Sequence, residues 1–301
     1  MQKVNMRKVA PNLWLIPLDQ DLPGFRSFIG SWLYKGEKTF LVDVGPAATI
    51  PRLFNALDQS EVESLDAILL THIHIDHAGG IGDFISRFPD TPVVCHGSGI
   101  RHVADPSRLW EGSLRTLGDT ARAYGSILPV PVEQLHDAAG FSEHGIRPFL
   151  TPGHAPHHVS YLFGDYLFAG EASGVYAELP DGGFYLRPAT PPRFFLETSV
   201  QSIDTLLTVP HTLICFGHFG VSQKTPEILE SHKNQLFRWA EVIQAQMARQ
   251  DEPDFLDQCM AVLLEKDPLL AGWHHLEPDV QKREKGFFYN SIRGFVGYFN
   301  A

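Results

Sequence analysis

Cysteine is scarce in this chain of 301 residues. Only Cys95, Cys215 and Cys259 occur, an odd and widely spaced set. Such a set argues against a disulfide framework and fits a reducing compartment. Long apolar runs are missing too, since no stretch reaches the roughly 18 residues a membrane span needs. Met1 to Trp14 carries neither an apolar core nor a small-residue cleavage pattern, so no signal peptide is expected. These absences lead us to expect a cytoplasmic protein with no membrane partner. Positive charge is also short: 24 Lys and Arg face 35 Asp and Glu, a formal balance of −11. Phosphate backbones are met by basic surfaces. Nucleic acid is therefore excluded as a partner, and a small-molecule substrate is expected. No repeat or low-complexity tract is present, and 44% hydrophobic with 20% charged residues is ordinary for a globular chain. The length exceeds most single cores, which suggests one large domain with an appendage.

The first two-thirds read as strands with interspersed helices. Leu13 to Leu18, Phe28 to Lys35 and Thr39 to Val44 are three expected strands, with Gly36-Glu37 as a turn. Ile50 to Gln59 reads as a helix with Pro51 near its start. Ala67 to Leu70 is a short buried strand, and Gly80 to Phe88 a helix. Thr91 to Cys95, Ile146 to Leu150 and Leu213 to Phe216 are further strands. Val159 to Phe163 and Tyr166 to Ala169 form a hairpin around Gly164-Asp165. Residues 105–128 read as a helical insertion. The Gly-, Pro- and aromatic-rich stretch 174–195 reads as a long loop. Residues 1–220 thus form the main domain, and 221–301 a helical region beginning at Thr225-Pro226. There Leu229, Leu236, Trp239, Ile243 and Met247 recur at helical spacing, followed by helices over Phe255 to Glu265 and Gly286 to Phe299.

Histidine is abundant, at 15 residues, and it clusters. Within Thr71-His72-Ile73-His74-Ile75-Asp76-His77-Ala78-Gly79-Gly80, four potential ligands follow an apolar strand directly. Side chains alternate in extended chain, so His72 and His74 point the same way and can meet one ion. Asp76 and His77 follow where the chain turns and can reach a second. Imidazole and carboxylate donors suit zinc, iron or manganese.

This H-x-H-x-D-H pattern resembles the metallo-β-lactamase superfamily. Four other segments resemble that family's motifs in the same order: Asp43-Val44-Gly45, Thr151-Pro152-Gly153-His154, Phe168-Ala169-Gly170-Glu171 and Phe216-Gly217-His218. The resemblance implies an αββα four-layer sandwich, here with a helical insertion and a C-terminal helical extension. It implies two divalent metal ions, zinc first, with iron or manganese as alternatives. One ion would take His72, His74 and His154. The other would take Asp76, His77 and His218, and Glu171 would bridge the two. Asp43 would brace the site from behind. The family usually has Asp at the bridge, so Glu171 is a departure, and Asp165 is a competing candidate. His158 resembles a structural histidine of its segment, while His157 stands where the family often has Gly.

Such sites hydrolyse bonds with metal-activated water, and Asp76 would also orient that nucleophile. The motif and the C-terminal helices resemble hydroxyacylglutathione hydrolases, although no basic cluster for glutathione is evident. A hydrolase of small esters, thioesters or lactones is therefore expected. The alternatives are a metal-binding signalling protein with little catalysis and a diiron oxidoreductase. A homodimer is compatible with the sequence.

Overall fold

Side chains on successive strand residues face opposite ways, so a strand buried on both faces contributes to two cores at once. In the computed structural model, which describes residues 4–218 and 220–301, this rule builds the whole architecture. Residues 1–3, the start of the segment read for a signal peptide, lie outside the described part.

Seven strands form one sheet in sequence order: β1 (Arg7–Ala10), β2 (Leu13–Pro17), β3 (Gly30–Lys35), β4 (Thr39–Val42), β5 (Ala67–Leu69), β6 (Val93–Cys95) and β7 (Leu135–Asp137). The first four pair antiparallel, and β4 to β7 pair parallel. Five strands form a second sheet, β14-β13-β10-β9-β8. They are β8 (Arg147–Leu150), β9 (Val159–Phe163), β10 (Tyr166–Gly170), β13 (Leu213–Phe216) and β14 (Val221–Ser222). Between the sheets lie Leu13, Leu15, Phe40, Val42, Leu69, Tyr161, Phe168 and Cys215. The alternate residues face outward. Ile16, Leu41, Ile68 and Val93 meet α1 (Ile50–Gln59), α2 (Ile75–Ala78) and α3 (Ile81–Phe84). Leu167, Ala169, Ile214 and Phe216 meet α7 (Leu196–Leu207), α8 (Thr225–Gln244), α9 (Phe255–Lys266) and α10 (Pro278–Phe299). The layers are therefore helix, sheet, sheet, helix. Trp32 ties the sheets together by donating its Nε1–H to the Phe216 carbonyl at 3.0 Å.

The insertion is helical, as expected: after α4 (Gly97–Ala104) come α5 (Ser107–Leu117) and α6 (Asp119–Tyr124), of which α6 reaches the core through Ala121 and Tyr124. Three expectations differ from the structure. The stretch 174–195 is not all loop, because it contains an antiparallel hairpin, β11 (Val175–Glu178) and β12 (Phe184–Arg187). Its two short strands are hidden in the sequence by flanking glycine and proline. Helix α10 starts at Pro278 rather than Gly286. Its first two turns are charged and pack on a loop rather than on the apolar core, so they lack an apolar stripe. Helix α7 was not expected at all. Two of its five buried positions are Ser199 and Ser202, which break the hydrophobic pattern.

Among the described residues, no helix is long and apolar enough to cross a membrane. The three cysteines are free and buried.

Candidate metal centre

The site forms where strands of both sheets end. Strand β4 ends just before Asp43, whose φ of +56° turns the chain sharply, and Asp43 is a residue type that tolerates this conformation. Strand β5 ends two residues before Thr71, and the chain runs extended through His72 and His74 into the short helix α2, which carries Asp76 and His77. His154 lies on the turn between β8 and β9, Glu171 directly after β10, and His218 two residues past β13. The parallel pairing of β10 with β13 places Glu171 and His218 side by side.

The Asp43 carboxylate organises the centre. One oxygen accepts the Thr71 backbone N–H at 2.7 Å. The other accepts the Thr71 hydroxyl at 2.7 Å and the His77 Nδ1–H at 2.9 Å. Because the Thr71 hydroxyl gives its only proton to Asp43, its oxygen must accept from His72 Nδ1, 3.0 Å away. His154 Nδ1 lies 3.0 Å from the Ala189 carbonyl and His218 Nδ1 lies 3.2 Å from the Phe28 carbonyl. In all four rings the outward nitrogen is therefore the proton-bearing donor, and Nε2 is left to the interior.

Glu171 lies among those inward nitrogens. Its Oε2 is 2.9 Å from His154 Nε2, 3.3 Å from His72 Nε2 and 3.5 Å from His77 Nε2. Its Oε1 is 3.1 Å from His218 Nε2. Asp76 is 3.7 Å from His77 Nε2 and 3.9 Å from His218 Nε2. His74 turns Nδ1 inward, 3.0 Å from His154 Nε2. Two groups result: His72, His74, His154 and Glu171, and Asp76, His77 and His218. In each, the donor atoms lie within 4.8 Å of one another, close enough to hold an ion.

The donor set fits divalent metal. The Nε2 atoms of His72 and His77 are buried and have no hydrogen-bond partner, which is costly unless something else satisfies them. Burial, with His77 and other nearby imidazoles, holds His72 well below the usual histidine range. Burial and His154 bring His74 down to about 4. Both rings are thus unprotonated at neutral pH, as metal binding requires. Burial works against charge on His77 as well, but Asp76 and Asp43 outweigh it and hold that ring well above the usual range, so an ion binding at its Nε2 would displace a proton. Burial opposes ionisation of Glu171, yet His154 and His218 keep it a carboxylate.

Residues 27–218 match the profile of the metallo-beta-lactamase superfamily. The chain belongs to this superfamily. A metallo-beta-lactamase fold-containing protein of Sulfurisphaera tokodaii is 29% identical over 219 residues, 69% of this chain and 78% of that one. A hydroxyacylglutathione hydrolase of Cronobacter sakazakii is 30% identical over 184 residues, 60% of this chain and 57% of that one. Among solved structures, an archaeal superfamily member from Sulfolobus tokodaii superposes with a TM-score of 0.60 at 27% identity, covering 73% of this chain and 85% of that chain. A family member from Thermus thermophilus gives 0.60 at 22% identity and covers 97% and 94% of the two chains. The second likeness is one of fold alone, and it extends over the C-terminal helices.

The structure brings all seven expected ligands together and leaves the competing candidate out. Asp165 is exposed in the β9–β10 turn, where its carbonyl accepts from Thr212 and Leu213. His158 is not aimed at the centre. Its Nδ1 meets the Thr71-like hydroxyl of Thr151 at 2.9 Å, and its Nε2 accepts the Glu171 backbone N–H at 3.0 Å. The approach is so close that a Cβ on Gly170 would come within 2.3 Å of that Nε2, and Gly170 also has φ +56°. His157 is half-buried beside His74, with ring centroids 5.5 Å apart, and its Nδ1 accepts from the Ile73 N–H at 3.4 Å.

Sequence reading passed over two contributors, Thr71 and Phe28. Thr71 stands inside the motif, and its role shows only once Asp43 is placed. Phe28 stacks on His218 at 4.3 Å with the planes 22° apart. No local signal distinguishes Phe28 from ordinary core.

Proposed function

We propose that this chain is a binuclear metal-dependent hydrolase that cleaves a carboxylic ester, thioester or lactone bond in a small molecule. The observation that carries the reading is the inward set of imidazole nitrogens, four of them in rings fixed by an outward hydrogen bond, around one carboxylate that reaches both ligand groups. His72, His74 and His154 would hold one ion, Asp76, His77 and His218 the other, and Glu171 would touch both. Bound there, the ions would act as Lewis acids on the scissile carbonyl and lower the pKa of water toward ~7.

The chain's own residues do the rest. Asp43 and Thr71 hold two of the rings in the tautomer that leaves Nε2 free, a partner effect that tunes such sites strongly. His158 fixes the backbone from which Glu171 projects. Asp76 has a side-chain exposure of 19%, against 6% or less for Glu171, His72, His77 and His218. It is thus the carboxylate open to entering water, placed to orient that water and accept its proton. The acidic overall charge favours a small substrate over a polyanion. The hydroxyacylglutathione hydrolase relatives make thioesters the first panel to try.

The test is elemental analysis of protein purified without added metal, beside assays on ester, thioester and lactone panels. About two ions per chain are expected, with Asp76→Ala losing one ion and at least 100-fold in kcat on whichever substrate turns over. A wild type that holds less than one ion after reconstitution, or an Asp76→Ala protein with full activity, would sink the proposal. Iron as the bound element, with oxygen consumption and no hydrolysis, would favour the diiron oxidoreductase instead.

A further inference from the structure

Helix α10 lies beyond the residues that match the family profile, yet it reaches the candidate metal centre through one loop. That loop, residues 19–28, is gripped from α10 at several points. The Asp279 carboxylate accepts the Gly24 N–H at 3.0 Å and pairs with Arg26 at 2.8 Å. Arg283 donates to the Gly24 carbonyl. Gly24 has φ +81°, and a Cβ there would sit 2.3 Å from the Asp279 carbonyl oxygen, so backbone lies directly on backbone.

The loop ends at Phe28, where the Arg283 guanidinium carbon sits 3.8 Å from the ring centroid. His218 covers the same ring at 4.3 Å. Each group fills one face at van der Waals distance, so the two lie on opposite sides in the order Arg283, Phe28, His218. The Phe28 carbonyl also accepts the His218 Nδ1–H, and Ile29 forms an isolated β-bridge with His218. Arg283 cannot drift from its place, because Glu284 accepts from its Nε and Nη2 at 3.3 and 3.1 Å and its side chain is only 6% exposed.

We infer that Arg283 is a positioning residue for the second metal subsite, pressing the Phe28 ring and carbonyl onto His218 so that Nε2 stays turned toward Glu171 and Asp76. The inference rests on the binuclear reading above. It makes the C-terminal helix a determinant of how tightly one ion of the pair is held. A cation–π contact of this kind is strongest when desolvated, as here, and partners that orient a ligating ring typically alter metal affinity 10–100-fold. The sign separates this role from a purely electrostatic one. A guanidinium near a metal repels it, so removing the charge alone would tighten the second ion. Removing a strut would weaken it.

The experiment titrates zinc into metal-free wild type, Arg283→Met and Phe28→Leu against a chromophoric chelator, with circular dichroism to check folding. Methionine keeps the length and apolar contact of the arginine but loses the fork and the charge. The expected result is a first ion bound within about twofold of wild type and a second ion weakened at least tenfold in both variants. The second cobalt equivalent should also show an altered visible spectrum in Arg283→Met. A second ion bound as tightly as in wild type, or more tightly, overturns the inference. Equal weakening of both ions in a folded variant overturns it as well. If Arg283→Met does not fold, Phe28→Leu is judged by the same outcomes. A wild type that takes up no second ion defeats the binuclear reading itself, whereas two tight ions in Arg283→Met defeat only the role given to Arg283.

Discussion

Replacing Asp43 by Asn exchanges one oxygen for an amide nitrogen at a buried junction serving both candidate metal subsites. Asparagine tolerates the left-handed backbone at this position, and its remaining oxygen can still accept the Thr71 N–H. The new NH2 cannot accept, however. It meets two donors, the His77 Nδ1–H and the Thr71 hydroxyl, at the places where the carboxylate now accepts at 2.9 and 2.7 Å. The network can relax only by reversing. His77 moves its proton to Nε2, and the Thr71 hydroxyl turns to donate to His72 Nδ1, which moves that proton to Nε2 as well. Both inward nitrogens would then carry hydrogens where an ion must bind. Loss of an orienting partner costs roughly 10–100-fold per ring, or about 1.4–2.7 kcal/mol for each ion. Thr71→Val should break only the His72 arm and weaken only the first ion, leaving His77 anchored. Competition titration of metal-free protein, with a thermal melt to show that folding persists, reads both variants. Two ions bound by Asp43→Asn at wild-type affinity would refute the tautomer argument. So would a Thr71→Val protein that weakens the His77 subsite as strongly as the His72 subsite.

Two further outcomes follow from the same network. Glu171→Ala should release both ions or nearly so, since among the described residues Glu171 is the carboxylate that approaches histidines of both groups; Glu171→Asp keeps a carboxylate one methylene short and should retain two ions at lower affinity. Metal analysis decides it, and identical behaviour of the two variants would remove the bridging role. The buried pair of Arg187 and Glu284, 2.5 Å apart, predicts an acid-sensitive contribution to stability. Burial pushes the Glu284 carboxyl up, but Arg187 and Arg283 outweigh it and bring it down to about 2. A folded value below the unfolded one of about 4.5 stabilises the protein by about 3 kcal/mol at neutral pH. That contribution is complete above about pH 4.5 and is lost as pH falls toward 2. Glu284→Gln, which leaves Arg187 buried and uncompensated, should cost ~3–5 kcal/mol at pH 7. Urea unfolding at pH 7 and at pH 3 should show the gap to wild type shrinking at the lower pH, and a constant gap would contradict the assignment.

What was legible in the sequence was what local rules fix. Short apolar runs such as Thr39–Val42 and Ala67–Leu69, buried at nearly every position, read as strands covered on both faces. The candidate ligands were legible because imidazoles and carboxylates at strand ends, in that order, have few other uses. Long-range partnership was not legible. The Thr71 hydroxyl is an ordinary side chain until β4 and β5 pair and bring Asp43 within 2.7 Å of it. Phe28 and Arg283 are 255 positions apart in the chain, and neither carries a mark of the other. The first turns of α10 went unread for a related reason. Pro278 to Lys285 holds six charged or amide side chains and no apolar stripe, because these turns pack on a loop and contribute ion pairs, not core. A helix of that kind conveys its purpose only through what it grips. Here it grips the segment whose carbonyl sets the tautomer of His218, so the part of the chain least readable by hydrophobic periodicity lies one residue removed from the candidate metal centre.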